Sequence, residues 1–352
     1  MKSRVYFIKV SPADTKERIK EKFNQLIQES GAIDFIKPKD KVAVKLHFGE
    51  EGNTGFVLPE YVRVAVNRLI EKGAQPLLTD TNTLYRSRRF STQGHLQLAS
   101  EHGFTQSVTG APVLIAGEDE GEVKINEKFI RSAMVAKLFL EVDAIIAISH
   151  FKGHMMTGFG GALKNIGMGC ASRQGKLQQH SDVSPRSSSK NCTGCAECLK
   201  DCPVEAITMV NKKSVVDSSK CIGCAACIAK CKFEAMDVEW ESGAGNIQEK
   251  MVEYAKAALL GKEKKRGFIN FAIKITKECD CLAKDDPRIS PDIGILVSDD
   301  PVGIDKASLD LVIRACGKDI FKEAHPLRDG FRQLGHASDI GLGSLDYELI
   351  EI

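Results

Sequence analysis

The chain has 352 residues, of which 43% are hydrophobic and 27% charged, as in a globular protein with one large and one small domain. The formal net charge of +2 does not favour nucleic-acid binding. No apolar stretch reaches the length that spans a membrane, and the N-terminal MKSRVYFIKV is too short and too polar for a signal peptide, so we expect a cytoplasmic protein.

Apolar runs of strand length alternate with longer amphipathic stretches along residues 1–180. This alternation predicts an α/β fold with a largely parallel sheet flanked by helices. Strands are predicted at RVYFIKV, KVAVKLHF, QPLLTD, APVLIAG and AIIAIS. One helix is predicted from about Asp14, with Ser11 or Asp14 as its N-cap, and another over PEYVRVAVNRLIEKG with Pro59 in its first turn.

Polar and ionisable side chains follow several of the predicted strands. They are Lys45, His47, Asp80, Asn82, His150, Lys152, His154, Asp299 and Asp300. Each has an ordinary alternative, such as a helix cap or a buried histidine, but ligands of open parallel sheets bind where the strands end. We therefore predict a site at this edge, with Lys45, His47, His150 and Lys152 as candidate catalytic residues that could polarise or protonate a reducible substrate.

A glycine-rich segment runs from His150 to Lys176. Gly160 and Gly161 lead into the predicted helix ALKNIG, where exposed backbone amides could bind a phosphate or a carboxylate. The alternative is a flexible glycine loop that covers the edge of the sheet. The segment lacks the GK[ST] ending of a phosphate-binding P-loop.

Eight of the twelve cysteines share one repeated spacing, in CTGCAECLKDCP from Cys192 and CIGCAACIAKCK from Cys221. Three thiolates so spaced hold one 4Fe-4S cluster while the fourth ligates a second cluster, as in bacterial two-cluster ferredoxins. The crossed rule assigns Cys192, Cys195, Cys198 and Cys231 to one cluster, and Cys221, Cys224, Cys227 and Cys202 to the other. Glu205-Ala206 and Glu234-Ala235 repeat at the same offset of 29 residues. Paired zinc sites are the alternative, but the cysteines are too many and too close.

This module interrupts the α/β pattern, so we predict an insertion. Polar residues 181–190 and the segment ESGAG at 241–245 are the expected linkers. The predicted organisation is an α/β domain in two parts, 1–183 and 244–352, with an inserted α+β ferredoxin-like domain at 184–243. The second part should contain helices at about Ile247 to Leu260 and Asp305 to Ala315, and strands GFINFAIKI, DIGILVS and YELIEI.

Four further cysteines lie outside the module: Cys170, Cys279, Cys281 and Cys316. Residues two apart in an extended loop point to one face, so Cys279 and Cys281 could address a single site. A third metal or cluster is one hypothesis, with Cys170 or one of His150, His154 and His180 completing the ligands. A redox-active dithiol and ordinary reduced cysteines are the alternatives, and Cys316 is predicted to lie in the core.

The motifs KLHFGEEGNTGFV, SHFKGHMMTGFGGALKNIGMGCASRQGK, CDC and PDIGILVSDDPVGIDKASLDLV resemble the iron-sulfur family catalogued as domain of unknown function 362. The resemblance covers essentially the whole chain. It implies an electron-carrying ferredoxin module joined to an α/β domain, without residue roles.

We therefore expect two 4Fe-4S clusters that relay electrons to the strand-end site, in a cytoplasmic oxidoreductase or electron-transfer subunit. The partner would be a redox protein or a small-molecule substrate, with no membrane and no nucleic acid. A non-catalytic carrier and a metal or cluster assembly factor using Cys279 and Cys281 are the alternatives. The sequence specifies neither the substrate nor the oligomeric state.

Overall fold

A computed structural model describes residues 2–84, 87–117, 119–180, 185–200, 202, 204–221, 227, 231–233, 235–237 and 246–352. The strands are β1 (Ser3–Lys9), β2 (Lys41–Lys45), β3 (Gln75–Asp80), β4 (Val113–Ile115), β5 (Glu120–Lys124), β6 (Ser132–Ala136), β7 (Ala144–His150), β8 (Lys152–His154), β9 (Gly158–Gly160), β10 (Arg186–Ser187), β11 (Ile207–Val210), β12 (Lys213–Val216), β13 (Met236–Asp237), β14 (Arg266–Ala272), β15 (Gly294–Ser298) and β16 (Tyr347–Glu351). The α-helices are Lys16–Ser30, Pro59–Glu71, Thr92–Glu101, Gln106–Thr109, Lys137–Glu141, Ala162–Gly167, Arg173–His180, Glu197–Lys200, Ile247–Leu259, Pro301–Cys316, Ile320–Ala324 and Phe331–Asp339, with a short 3-10 helix at Arg88–Phe90.

Within the described ranges, the central sheet has eight strands in the order β16-β1-β15-β14-β7-β2-β3-β4. All neighbouring pairs are parallel except the two that β15 makes, with β1 and with β14. Helices pack on both faces and bury one hydrophobic core on each side. Strand β7 lies near the middle and all seven of its residues are buried, as expected for a strand covered on both faces. The predicted α/β fold with a largely parallel sheet is confirmed.

The first helix buries the predicted residues Ile19, Phe23, Leu26 and Ile27, because they recur on one face at helical spacing. Its predicted N-cap is wrong. The cap is Thr15, whose hydroxyl accepts the N–H of Arg18. The Asp14 carboxylate instead accepts the N–H of Ser11 at 2.7 Å and pairs with Lys22, and so closes the turn that precedes the helix.

The reversed direction of β15 corrects a second prediction. Asp299 and Asp300 follow β15, so they lie at the opposite edge of the sheet from residues that follow β2, β3 and β7. Asp300 is the N-cap of the helix Pro301–Cys316 and accepts the N–H groups of Val302 and Gly303 at 2.8 and 2.9 Å. This helix therefore begins four residues before the predicted start at Asp305.

The cysteine-rich segment, residues 185–237, is built from short elements. Strand β10 pairs with β13, β11 pairs with β12, and one helical turn spans Glu197–Lys200. The predicted linker residues 181–184 and 241–245 lie outside the described residues. The helices on either side of the segment, Arg173–His180 and Ile247–Leu259, contact each other, and the Tyr254 hydroxyl bonds to Gln178. The helices that flank the segment in sequence are thus neighbours in the structure.

No helix in the described part of the chain is long and apolar enough to cross a bilayer.

Candidate functional site

A cavity of about 410 Å³ opens where β2, β3 and β7 end. Its wall includes the predicted residues Lys45, His47, His150, Lys152, Cys279 and Cys281. Parallel strands bring these segments together because their carboxyl ends share one edge of the sheet. Arg89, Lys164 and Lys176 add three cations to the wall, and methionine, leucine and isoleucine side chains complete it. The cavity wall therefore combines several positively charged side chains with apolar ones.

Lys45 and Asp80 form a buried ion pair at the ends of β2 and β3. The Lys45 ammonium lies 2.9 Å from the Asp80 carboxylate, and it also donates to the Leu46 carbonyl at 3.1 Å and to Asn165 Oδ1 at 2.8 Å. These three acceptors match the three donors of an ammonium group. Burial alone would raise the pKa of Asp80, but Lys45 and its other charged neighbours hold it below the ordinary value. Lys45 thus fixes the strand ends in place.

His47 lies beside Arg89. The Arg89 guanidinium donates to His47 Nε2 at 2.8 Å, while the Gly49 N–H faces His47 Nδ1 at 3.0 Å. Burial, together with the charges of Arg89 and neighbouring lysines, keeps the pKa of His47 well below its ordinary value. His47 is therefore neutral near pH 7 and unsuited to act as a general acid. Arg89 is itself paired with Glu50 at 3.0 Å.

His150 and Asp280 form a second buried pair. Asp280 Oδ1 lies 2.8 Å from His150 Nδ1, and the Ile273 carbonyl lies 3.1 Å from His150 Nε2. Lys152 donates to the His150 carbonyl at 2.7 Å and lies 3.6 Å from Asp280 Oδ2. Burial opposes ionisation of Asp280, but His150 and Lys152 together hold its pKa well below the ordinary value. This network anchors the loop that carries Cys279 and Cys281.

The thiols of Cys279 and Cys281 lie on the cavity wall, and their sulfurs are within 4.8 Å of each other. Lys164 donates to Cys279 Sγ at 3.3 Å, and the N–H of Cys281 donates to the same sulfur at 3.4 Å. The hydrogen bond from Cys281, reinforced by Lys164 and Lys152 against the effect of burial, lowers the pKa of Cys279 well below its ordinary value. The pKa of Cys281 is raised correspondingly. The surroundings therefore favour the thiolate form of Cys279 over that of Cys281.

His154 completes a group with these two cysteines, because a ring nitrogen and the two sulfurs all lie within 4.8 Å of one another. Cysteine and histidine are donors that soft metal ions take. However, His154 Nδ1 accepts the N–H groups of Met156 and Thr157 at 3.1 and 3.2 Å. A metal-bound histidine instead donates its second ring N–H to an acceptor. The donor set suits a metal, but the hydrogen bonds of His154 do not.

Cys170 is not part of this group. Its side chain is fully buried in the hydrophobic core, and burial raises its pKa to about 12. Cys316, the other remaining cysteine, packs against the same core and donates to Ser290 Oγ at 3.5 Å.

The predicted anion site at the glycine-rich turn is already filled by the chain itself. The Asp305 carboxylate accepts the N–H groups of Ala162 and Leu163 at 2.7 and 2.9 Å. A Cβ on Gly161 would come within 2.3 Å of the same carboxylate, so only glycine lets it approach. Burial raises the pKa of Asp305 to about 6. The prediction that these amides face an external ligand is wrong, because the helix Pro301–Cys316 supplies the anion.

Lys176 is the cavity cation with the fewest counter-charges. Its ammonium donates to Thr81 Oγ1 and to the Asn82 carbonyl, both at 2.5 Å, and among the described residues no carboxylate lies within ion-pair distance of it. Burial and the charges of Lys45 and Arg89 lower its pKa to about 7, although Asp80 opposes them. Lys176 can therefore attract an anion at neutral pH.

In the cysteine-rich segment, Cys192, Cys195, Cys198 and Cys231 line one small pocket. These are the four residues that the crossed rule assigns to one cluster. The Ser214 N–H faces Cys192 Sγ at 3.5 Å, in keeping with a sulfur that carries negative charge. Of the second predicted set, Cys202 and Cys227 pack in the same small apolar cluster as Cys198 and Cys231. Cys221 is described but absent from that cluster, and Cys224 lies outside the described residues.

The two halves of this segment also repeat in their hydrogen bonds. The N–H of Ala206 donates to Cys202 Sγ at 3.2 Å, and the N–H of Ala235 donates to Cys231 Sγ at 3.2 Å. The two bonds are related by the 29-residue offset of the cysteine repeat. N–H groups aimed at sulfur are among the contacts that tune iron-sulfur clusters.

Sequence reasoning missed several residues of the cavity. Lys164 and Lys176 lie within the glycine-rich segment but were not singled out, and Asp280 lies unremarked between the two cysteines. Arg89 enters from the 3-10 helix Arg88–Phe90, which no strand-end pattern predicts. For Asp280, the available signal was its position between two cysteines that were themselves predicted to address one site.

Comparisons with known proteins place these observations in context. The family described as domain of unknown function (DUF362) matches residues 42–310. No protein of curated function matches the sequence. Among solved structures, the lactate racemase apoprotein from Thermoanaerobacterium thermosaccharolyticum is similar, with 15% identity and a TM-score of 0.38 over 77% of this chain and 51% of that chain. A structural-genomics target from Thermotoga maritima has 16% identity and a TM-score of 0.38, over 88% of this chain and 59% of its own. This chain thus spans between half and three fifths of the length of those proteins.

Proposed function

The chain belongs to the DUF362 family, whose description states no reaction, and we propose from its own residues that it is an iron-sulfur protein that delivers electrons to the basic cavity. Two 4Fe-4S clusters, held by the cysteine-rich segment, would supply single electrons. The observation that carries this proposal is the pocket formed by Cys192, Cys195, Cys198 and Cys231. Cys231 joins it from 33 residues beyond Cys198, as crossed ligation requires.

The hydrogen bonds of the segment support a fit to clusters. Cys202 and Cys231, the fourth cysteine of each repeat, each accept one backbone N–H at the same distance of 3.2 Å. A structural zinc site would use paired ligands close in sequence, whereas this pocket draws its fourth sulfur from the other repeat. We therefore propose that residues 184–243 form an inserted ferredoxin-like domain.

The cavity is the proposed destination of the electrons. It gathers a thiolate at Cys279, cations at Lys152, Lys164 and Lys176, and an opening to solvent. Such cations could bind an anionic substrate and stabilise the charge that it gains on reduction. The chain's own residues would thus hold the substrate while the clusters supply the electrons.

A metal site formed by His154, Cys279 and Cys281 is the second candidate, and the 4.8 Å grouping of donor atoms favours it. It would make the chain a metal carrier or an assembly factor. The two N–H groups that occupy His154 Nδ1 oppose it, because ligation through the other nitrogen would leave the ring without a proton.

Cluster-specific serine variants test the proposal. We expect Cys198→Ser and Cys231→Ser to perturb the electron paramagnetic resonance signal of the same cluster in anaerobically reduced protein, and Cys202→Ser to perturb the other. Cys316→Ser, which lies outside the segment, should leave both signals unchanged. If Cys198→Ser and Cys231→Ser affect different clusters, or if no cluster forms, the proposal is wrong.

A further inference from the structure

We propose that Cys279 and Cys281 are a redox-active dithiol that closes to an internal disulfide and reduces small disulfides bearing anionic groups. The proposal deepens the function above, since it names where the electrons go, and it rests on that function for its electron supply. The chemistry of the dithiol is supported by the geometry of the two thiols.

The two sulfurs are close enough to each other to form a disulfide. They lie within 4.8 Å of each other, and the N–H of Cys281 donates to Cys279 Sγ at 3.4 Å. Residues two apart lie at most about 7 Å from Cα to Cα, close to the range that a disulfide spans. Asp280, between them, is held on the other side by His150 at 2.8 Å and Lys152 at 3.6 Å. Both sulfurs are therefore fixed on the cavity face of the loop.

The surroundings of Cys279 suit an attacking thiolate. Lys164 lies 3.3 Å from its sulfur, and a nearby cation favours the thiolate over the thiol. The sulfur lines the cavity, so a small molecule can reach it although the residue is only 2% exposed. A purely structural thiol in an apolar core, such as Cys170, has no such cation within hydrogen-bonding distance among the described residues.

The cavity selects the substrate class. A volume of about 410 Å³ admits a small molecule and excludes a folded protein. Lys176 has no carboxylate within ion-pair distance among the described residues, and Lys152 shares Asp280, 3.6 Å away, with His150. We therefore infer a low-molecular-weight disulfide that carries carboxylates or similar anions.

The cycle balances in electrons and atoms. The Cys279 thiolate attacks one sulfur of the substrate disulfide, which breaks the S–S bond and releases the first thiolate. Cys281 then attacks the mixed disulfide at Cys279 and releases the second thiol as the internal disulfide forms. Two electrons, which the proposed clusters would supply, and one proton from solvent restore the Cys279 thiolate and the Cys281 thiol, while the first thiolate released takes a second proton from solvent. A low-potential one-electron donor must reduce the clusters again.

Peptide mapping tests the dithiol without reference to the clusters. Trypsin should release residues 278–284 as one peptide that contains Cys279, Cys281 and no other cysteine. After the native holo-protein is treated with diamide and then N-ethylmaleimide, we expect this peptide to carry a disulfide and no label. Cys279→Ser should leave Cys281 labelled, and Cys316→Ser should change nothing. Two labelled cysteines after oxidation, or a zinc or iron ion that Cys279→Ser removes, would overturn the proposal.

Reaction with two probes tests its link to the clusters. Dithionite-reduced protein, freed of excess reductant, is mixed with 5,5′-dithiobis(2-nitrobenzoate), which carries two carboxylates, or with neutral bis(2-hydroxyethyl) disulfide. We expect cluster reoxidation with the anionic probe, slowed about tenfold or more in Cys279→Ser because thiolate attack is lost. Lys152→Met should raise KM for the anionic probe alone.

Unchanged rates in Cys279→Ser, with clusters present, would overturn the dithiol proposal but not the relay. Absence of clusters would overturn the relay, and the peptide map would still decide the dithiol.

Discussion

The Lys45 ammonium lies 2.9 Å from the Asp80 carboxylate, and the two side chains are only 1% and 5% exposed. Replacing Lys45 by methionine would leave Asp80 buried without its nearest counter-charge. We expect Lys45→Met to destabilise the protein by about 3–5 kcal/mol, measured by denaturant unfolding. Lys137→Met, which breaks an exposed pair with Glu141, is the matched control and should cost less than about 1 kcal/mol. Equal losses in both variants would show that the buried pair does not hold the strand ends.

Gly169 tests how tightly the cavity wall is packed. A Cβ there would lie 2.2 Å from the Asn165 carbonyl oxygen and 2.4 Å from Lys45 Nζ. Gly169→Ala should therefore destabilise the protein by about 1–3 kcal/mol in thermal unfolding. Gly335, in the helix Phe331–Asp339, has open space around it, so Gly335→Ala should be neutral or stabilising by up to about 1 kcal/mol. A tolerated alanine at Gly169 would contradict the described packing.

The pKa of Lys176, lowered to about 7 by burial, predicts a pH dependence for anion binding. An anion binds the protonated amine better, so affinity for succinate should be highest below pH 7. Between pH 6 and 8 it should fall by up to about tenfold, as the charged fraction falls from nine tenths to one tenth. Lys176→Met should bind more weakly and without this dependence in calorimetric titrations. The pKa values of His154 and His180 are lowered by burial, His180 to about 4, so these rings stay neutral in this range.

A control variant tests whether the pH dependence of anion binding belongs to Lys176. Lys137→Met removes an exposed lysine and should retain the pH dependence of the parent protein. If Lys176→Met keeps the full dependence, another group is responsible and the role given to Lys176 is wrong.

Asp280 predicts a pH dependence of stability. His150 and Lys152 hold its pKa well below the value of about 4 that it has when unfolded. A depressed carboxyl pKa contributes stability that is present above about pH 4 and is lost as pH falls toward the folded pKa. Asp280→Asn lacks this contribution. The difference in unfolding free energy between parent and variant should be largest at pH 7 and smaller at pH 3.5, measured by denaturation followed by circular dichroism. A constant difference would contradict the ion-pair account.

Much of the fold followed from local patterns. Hydrophobic periodicity predicted the helix that buries Ile19 and Phe23, and it predicted the strands β2, β3 and β7. The spacing of apolar residues that are close in sequence shows whether one face or both faces of an element are buried. Strand direction is not local. The reversal of β15 depends on which neighbours it pairs with, and so Asp299 and Asp300 were assigned to the wrong edge.

In the functional site, too, local sequence patterns predicted some features and distant contacts determined others. Strand ends predicted that Lys45, His150 and Lys152 would meet in one cavity, because topology alone brings them there. The sequence could not predict that Asp305 accepts the backbone N–H groups of the glycine-rich turn, because Asp305 lies 143 residues after Ala162. Whether a polar group is free or already paired is decided by such distant contacts. The spacing of the cysteine repeat, by contrast, is a local pattern, and the ligand assignment that it predicts stays a prediction.

The iron and inorganic sulfide content of anaerobically purified protein tests the central claim most directly. Two 4Fe-4S clusters predict about eight iron and about eight sulfide per chain, with no zinc in the cysteine-rich segment. About two zinc ions without inorganic sulfide would contradict the account, and so would about four irons per chain.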